Sequence, residues 1–142
     1  MKPVITSFIL TVMALLATSC THNDGDIGPL FGTWHVEDIE ADGTPLAGYQ
    51  GNLFIAFQNS VVNLRVVDEQ HHSYTDAWGN WQLTGDQLTI TLPDNWYPPQ
   101  DVTALGSSNV LKVERLGSKT LVVSFTSPVD GSARRFTCCK QH

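Results

Sequence analysis

Apolar and polar residues alternate with a period of two through most of the chain after Gly32. The clearest segment is 88–92, Leu-Thr-Ile-Thr-Leu, and the same alternation occurs in 62–66 and 121–126. A period of two is typical of a strand with one buried face, and turn residues separate the segments at intervals of roughly 8–12 residues. The pattern predicts eight strands, near residues 32–40, 51–58, 60–69, 73–83, 86–92, 108–116, 119–127 and 132–140.

The short connections between these strands imply antiparallel neighbours. Eight short antiparallel strands in a chain of this length form either a closed barrel or a two-sheet sandwich. Closure leaves no unpaired strand edge, so the barrel is favoured. We predict an all-β, eight-stranded, antiparallel up-and-down barrel over residues 32–142.

The N-terminal segment has the features of a signal peptide. Lys2 supplies a positive start, the 14 residues 4–17 carry no charge, and small residues lead to Cys20. A helix of that length spans about 21 Å, less than the roughly 30 Å hydrocarbon core of a bilayer, so the segment is too short for a membrane span. Residues 16–20, Leu-Ala-Thr-Ser-Cys, resemble the lipobox of bacterial lipoproteins, with leucine one position earlier than usual.

This resemblance implies a signal peptide over residues 1–19 and a lipid anchor on Cys20, where two or more acyl chains hold a protein stably in a membrane. The polar, glycine-containing stretch after it makes residues 20–31 a flexible tether. No aspartate directly follows Cys20, which implies the outer membrane. Asp24 and Asp26 resemble the acidic signal that sends some lipoproteins to the cell surface, so display may face either the periplasm or the exterior. A secreted protein cleaved near Ser19 is the alternative.

Composition and charge exclude several classes of function. The sequence contains eight lysines and arginines and 14 acidic residues, which gives a net charge of −6. Nucleic acids and anionic lipid surfaces both require clustered cations, so neither is expected as a partner. A hydrophobic content of 42% excludes a disordered chain, and the net charge favours a monomer.

Several short motifs resemble those of the calycins, the group of lipocalins, fatty-acid-binding proteins and avidins. Gly32-Thr33-Trp34 is similar to their Gly-X-Trp signature, and residues 79–90, GNWQLTGDQLTI, resemble small bacterial lipocalin-like lipoprotein domains. Residues 119–123 and 134–136 fit the last hairpin of the same domains. The resemblance implies a lipocalin-like barrel in which Trp34 packs across a basic side chain of the last strand and plugs one end.

Two basic residues are candidates for that plug. Alternation places Arg134, Phe136, Cys138 and Lys140 on one face of the last strand, and Lys140 is the better placed to meet Trp34. Such a pair is structural, so no binding role is assigned to it.

Motifs for catalysis are absent from the sequence, and we expect neither an enzyme nor a cofactor. Adjacent Cys138 and Cys139 are too close for an unstrained disulfide, which predicts one buried and one exposed thiol. Two histidines and two acids in the segment 68–72 form either a surface metal site or a solvated turn. The solvated turn is favoured, so no metal is expected.

Four aromatic residues are the candidates for ligand binding. Trp96 and Tyr97 lie among prolines in a long connection, which in a compact domain is often functional. The alternative is that these two rings only close the core from outside. Trp78 lies three residues from Trp81, on the opposite side of a regular strand unless Gly79 marks a bulge, and Phe54 lies in a segment that is apolar on both faces. We expect these aromatics to line a barrel mouth that binds a small apolar ligand or peptide: Trp96, Tyr97, Trp78 and Phe54. The alternative is a domain with a filled interior that docks on another envelope protein.

The lipoprotein hypothesis predicts the mass of the mature N-terminus. Mass spectrometry of the protein from bacterial membranes should find an N-terminal peptide that begins at an acylated Cys20, and Cys20→Ala should move the protein to the soluble fraction. An unmodified N-terminus near Thr21 would instead indicate a secreted protein.

Overall fold

Antiparallel strands make up most of the structure, a computed structural model that describes residues 28–94 and 100–141. Within these residues there are nine strands and one short helix. The elements are β1 (Gly32–Ala41), β2 (Thr44–Pro45), β3 (Leu53–Phe57), β4 (Val61–Asp68), β5 (Ser73–Thr84), β6 (Gln87–Thr91), α1 (Gln100–Thr103), β7 (Ser108–Leu116), β8 (Thr120–Thr126) and β9 (Ala133–Lys140).

The sheet closes on itself into a barrel. β1 pairs with β3, each later strand pairs with the next, and β9 returns to pair with β1, with every pairing antiparallel. In the pairing of β1 with β9, Trp34 lies opposite Lys140 at one end and Ala41 lies opposite Arg134 at the other. The predicted eight-stranded up-and-down barrel is confirmed and the sandwich is excluded. The two-residue β2, which pairs only with the end of β1, was not predicted.

Period-two alternation decides which side chains enter the barrel. Leu88 and Ile90 of β6 are buried, whereas Thr89 between them lies on the outside. In β1, Val36 and Ile39 are both buried although they lie three residues apart, because the pairing with β9 shifts register between Val36 and Asp38. Such a shift adds one residue to one strand and restores the inward face.

The described interior of the barrel is filled by side chains. Trp34, Phe57 and Phe136 are at most 1% exposed. An exposed fraction this small leaves no water-sized space against a side chain, so these residues do not border a ligand cavity. An eight-stranded barrel is wide enough either for its side chains to fill or for one small ligand, and here the exposures indicate that side chains fill the described part. The other large, fully buried side chains include Leu53, Leu64, Leu88, Ile90, Leu105, Leu111 and Leu121.

The described residues of the connection between β6 and β7 pack against one end of the barrel. Leu105 is completely buried, and the Oγ of Ser127 donates a hydrogen bond of 2.7 Å to the carbonyl oxygen of Ala104. The side chain of Asn109 bonds both the N–H and the carbonyl oxygen of Gly106 at 2.8 Å. The described part of the connection is therefore fixed to the barrel from both β7 and the turn after β8.

The N-terminal boundary of the domain lies earlier than residue 32. Gly28 to Leu30 form a turn, and Leu30 is only 2% exposed within the core. Residues 28–31, assigned from the sequence to the tether, therefore pack on the barrel. The predicted signal peptide and Cys20 lie outside the described residues. Among the residues that are described, no helix is long and apolar enough to cross a membrane.

A filled interior predicts a large cost for removing an inward aromatic ring. Phe136 is completely buried and lies edge-to-face with Phe125, with ring centroids 5.3 Å apart. Phe136→Ala should lower the free energy of unfolding by about 3–5 kcal/mol, measured by urea denaturation. Val110→Ala, on the outer face of β7 at 57% exposure, should change it by about 0.5 kcal/mol or less. Similar small losses for both variants would contradict a filled interior.

Candidate binding surface

The two predicted ligand residues that the structure describes lie on the outside of the barrel. Phe54 alternates with the buried Leu53 and Ile55, and Trp78 is 52% exposed. Both therefore point away from the interior, which corrects the expectation that they line a barrel mouth. The other two, Trp96 and Tyr97, lie outside the described residues.

Regular strand geometry explains the position of Trp78. β4 and β5 pair without a register shift, so the bulge considered at Gly79 is not present. Trp78 therefore faces outward while Trp81, three residues on, is 6% exposed in the core. A Cβ at Gly79 would collide with the carbonyl oxygen of Thr91. The glycine therefore allows a close approach of β5 and β6.

Phe54 and Trp78 border one depression on the outer face of β1, β3, β4 and β5, which we call the Trp78 groove. Its volume is about 400 Å³. Ala56 lies between Phe54 of β3 and Gln58, the residue that follows β3, and its small side chain leaves the space that the larger neighbours enclose. The groove is lined by Thr33, Phe54, Ala56, Gln58, Asn63, Arg65, Val67 and Trp78.

An ion pair neutralises the one charged side chain that lines the Trp78 groove. The Nε and an Nη of Arg65 donate hydrogen bonds of 2.8 and 3.1 Å to the two carboxylate oxygens of Asp76. This contact lowers the pKa of Asp76 and raises that of Arg65. The guanidinium also lies over the ring of Tyr74, 4.1 Å from its centroid. The pair holds Arg65 in place and leaves little net charge in the groove.

A histidine supports the wall that Phe54 forms. The ring of His35 stacks on Phe54 with centroids 4.8 Å apart, and its Nε2 lies 2.6 Å from the carbonyl oxygen of Gly51. A ring held from behind loses less conformational entropy when a ligand packs on its other face. The Phe54 side of the groove is therefore preorganised.

A second depression continues the groove toward the turn between β4 and β5. Its volume is about 350 Å³, and it shares Phe54 and Val67 with the Trp78 groove. We call it the acidic depression, because Asp68 and Glu69 are among its lining residues. The remaining lining residues are Gln50, Gly51, Asn52 and Gln70.

The histidines near the acidic depression do not form a metal site. The Nδ1 of His71 lies 2.7 Å from a carboxylate oxygen of Asp68, and this hydrogen bond lowers the pKa of Asp68. Neither here nor elsewhere in residues 28–94 and 100–141 is there a group of three or more His, Cys, Asp or Glu side chains placed to hold a metal ion.

Lys140 and Trp34 close the barrel end opposite the β6–β7 connection. The Nζ of Lys140 lies 5.1 Å from the ring centroid of Trp34 and bonds the carbonyl oxygens of Pro29 at 3.2 Å and Phe31 at 2.5 Å. The Nε1 of Trp34 donates to the carbonyl oxygen of Leu30 at 3.0 Å. This is the contact that alternation and the calycin resemblance both imply.

Arg134, the other basic residue assigned to the plug, lies at the opposite end of the barrel. It pairs with Ala41, and its guanidinium donates to the carbonyl oxygen of Val102 at 3.2 Å and to Asp130 at 3.3 Å. The assignment of Arg134 to the Trp34 plug is therefore corrected: residues 134 and 140 are at the two ends of β9, about 20 Å apart along a strand.

Closure, an aromatic plug and a meander topology together describe a lipocalin-like barrel, and comparison with known families agrees. A family model described as a lipocalin-like domain matches residues 14–128. The chain belongs to the lipocalin-like family. No curated protein matches the sequence.

Two solved structures are similar to this lipocalin-like domain. A lipocalin-like protein from Bacteroides uniformis has 22% sequence identity and a TM-score of 0.64, over 80% of this chain and 100% of that one. An uncharacterized protein from Bacteroides eggerthii has 20% identity and a TM-score of 0.59, over 79% of this chain and 99% of that one. At these identities the similarity concerns the fold.

The two cysteines of the lipocalin-like domain are free thiols on opposite faces of β9; Cys138 is buried as predicted, whereas Cys139 is half-buried and not exposed. Cys138 is buried in the core, and desolvation raises the pKa of its thiol to about 12. Cys139 is half-buried, and its pKa is raised by a hydrogen bond to Glu37 and by desolvation. Thiols with raised pKa values react slowly, so neither resembles an activated nucleophile.

Three residues that shape the groove between Phe54 and Trp78 were not predicted from the sequence. Alternation places Ala56, Asn63 and Arg65 on the outer face, but they come together there because three neighbouring strands align in register. The sequence did carry one signal of an apolar outer surface. Residues 53–57 are apolar on both faces, although the outer face of a strand needs no apolar residue.

The Lys140 contact predicts a position-dependent loss of stability. Lys140→Met keeps the alkyl stem but removes the ammonium that bonds two carbonyl oxygens, so the free energy of unfolding should fall by about 1–2 kcal/mol. Lys112→Met, the same change on the outer face of β7, should have little effect. Equal urea midpoints for the two variants would show that the ammonium contributes nothing.

Proposed function

We propose that this chain is a lipoprotein, anchored through Cys20 in the outer membrane, whose lipocalin-like domain binds an apolar ligand group in the Trp78 groove. The observation that supports this most directly is an aromatic ring exposed beside a groove with a small floor residue. A large apolar ring on a soluble surface, next to a depression that fits a ligand group, is typical of a binding site.

We place the proposed binding site on the outer face of the barrel because the described interior is filled. Lipocalin-like barrels are binding proteins in general, and they typically have no enzymatic activity. In this chain the inward rings of Phe57 and Phe136 are at most 1% exposed, so the described residues leave no open space beside these rings for an internal ligand. The outer groove is open without any rearrangement of the core.

The size of the apolar contact sets the expected affinity. Covering the exposed half of Trp78 removes roughly 100 Å² of apolar surface from water, which stabilises a complex by about 2–3 kcal/mol. A dissociation constant of 1 mM already requires about 4 kcal/mol. A small aromatic or aliphatic molecule that touches only this groove should therefore bind weakly, in the millimolar range.

A second candidate function is docking on another envelope protein. The filled interior favours it, because a barrel without a lumen presents only its outer surface to partners. Both candidates use the same groove and differ in the size of what occupies it. The tether and its lipid would hold either kind of binding surface near the membrane.

The groove can be tested with indole as a neutral aromatic probe. In NMR titrations of the full-length chain, indole should shift the side-chain N–H signals of Trp78 and Asn63. Ala56→Leu fills the groove floor and should weaken these shifts at least fivefold. Val110→Leu enlarges an exposed side chain on the outer face of β7, away from the groove, and should leave these shifts unchanged.

Two results of the titration would contradict the proposed site. Shifts centred on residues 100–107, abolished by Trp96→Phe and not by Ala56→Leu, would place the ligand at the barrel end. Indole shifts that are equal in Ala56→Leu and Val110→Leu would show that the groove is not where the probe binds.

A further inference from the structure

We propose that the occupant of the Trp78 groove is an extended segment of a partner polypeptide, which places an apolar side chain in the groove and a lysine or arginine at the acidic depression. This inference rests on the proposed function, because it takes the groove as the binding surface. It adds the chemistry of the partner and the spacing of its two recognition residues.

The continuity of the two depressions indicates a chain-like occupant. They share Phe54 and Val67, so a ligand can pass from one to the other along the outer face of β3 and β4. From Asn63 in the groove to Asp68 in the acidic depression, β4 covers five residues, or about 16 Å. A small compact ligand fills one depression, whereas a stretched polypeptide reaches both.

Strand geometry fixes the spacing of the two recognition residues. In an extended segment, residues two or four apart point to the same side, and four residues cover about 13 Å. A lysine or arginine side chain reaches several ångströms further, which accounts for the rest of the distance. The partner should therefore carry its basic residue four positions from the apolar one.

The distribution of charge selects a basic partner. Asp68 and Glu69 are exposed, and the pKa of Asp68 is lowered by its hydrogen bond with His71, so its carboxylate is ionised at neutral pH. Arg65 is neutralised by Asp76. The whole chain carries a net charge of −6. A cation is attracted to this end of the path and an anion is repelled.

Exposed amides along the path suit a polypeptide backbone. Gln58 lies in the Trp78 groove, and Gln50 and Gln70 lie in the acidic depression, all three exposed to solvent. A side-chain amide has both donors and an acceptor, so it can bond either the N–H or the carbonyl of an extended chain. Such contacts tolerate many sequences, which leaves selectivity to the apolar and basic residues.

The test uses capped peptides in the NMR titration of the full-length chain. The reference peptide is Ser-Leu-Ser-Thr-Ser-Arg-Ser, with leucine and arginine four positions apart. One matched peptide replaces arginine with glutamate, and another exchanges arginine with the serine that precedes it, so that the spacing becomes three. The reference peptide should shift the Trp78 and Asn63 signals, and each matched peptide should bind at least tenfold more weakly.

Charge variants of the protein test whether the arginine of the peptide binds at the acidic depression. Asp68→Asn combined with Glu69→Gln should bring the arginine and glutamate peptides within about threefold of each other. Asp86→Asn combined with Asp94→Asn removes the same charge away from the path and should preserve the tenfold difference. Equal effects of the two double variants would mean that net charge alone attracts the peptide, and this would overturn the assigned basic position.

The outcomes separate this inference from the proposed function. If indole shifts Trp78 and the peptides do not, or if the arginine and glutamate peptides bind alike, the polypeptide inference fails and the groove function stands. If a neutral oligosaccharide such as maltotriose shifts the same signals and no peptide does, the occupant is a saccharide and the inference is overturned. If neither indole nor peptide shifts Trp78, both proposals fail.

Discussion

The pairing of β9 with β1 is the constraint on which the rest of this molecule depends. Closure of eight short strands removes every edge within the barrel and fixes a narrow interior, wide enough for side chains or one small ligand. The rings of Trp34, Phe57 and Phe136 then fill that interior. A filled interior stabilises a small domain, but it also removes the space that an internal ligand would occupy. The proposed binding site therefore lies on the outer faces of the strands.

Much of the fold follows from sequence alone, because period-two alternation identifies the strands, and their short connections together with the cost of an unpaired edge favour a closed barrel. The segment Leu88 to Leu92 alternates clearly, and each of the eight predicted strands has its observed counterpart with ends within two residues. The lysine at the Trp34 plug was also predictable. Alternation along the last strand places Lys140 on the inward face, and its position at the strand end places it near Trp34. Alternation alone could not exclude Arg134 as the basic residue of the plug, because residues on one face of a strand can lie at opposite ends of it.

Only part of the candidate site could be predicted, because alternation along a strand does not specify which residues of neighbouring strands meet. Phe54 and Trp78 were identified as aromatics in unusual positions, but their meeting depends on the registers of β3, β4 and β5, which a single sequence does not specify. Ala56 carries no signal of its own, since a small residue matters only when its neighbours are large. Arg65 and Asp76 lie 11 residues apart and meet only through the β4–β5 pairing.

The position of the N-terminal turn relates the groove to an anchor at Cys20. Gly28 to Leu30 pack at the Trp34 end of the barrel, and Gln58 marks the same end of the Trp78 groove, opposite the turn that bears Asp68 and Glu69. The seven residues 21–27 can extend over about 25 Å at most. A chain anchored through Cys20 would therefore hold its Trp34 end nearer the bilayer and its acidic turn farther away. In that orientation the acidic depression would lie on the side of the barrel that faces away from the headgroups.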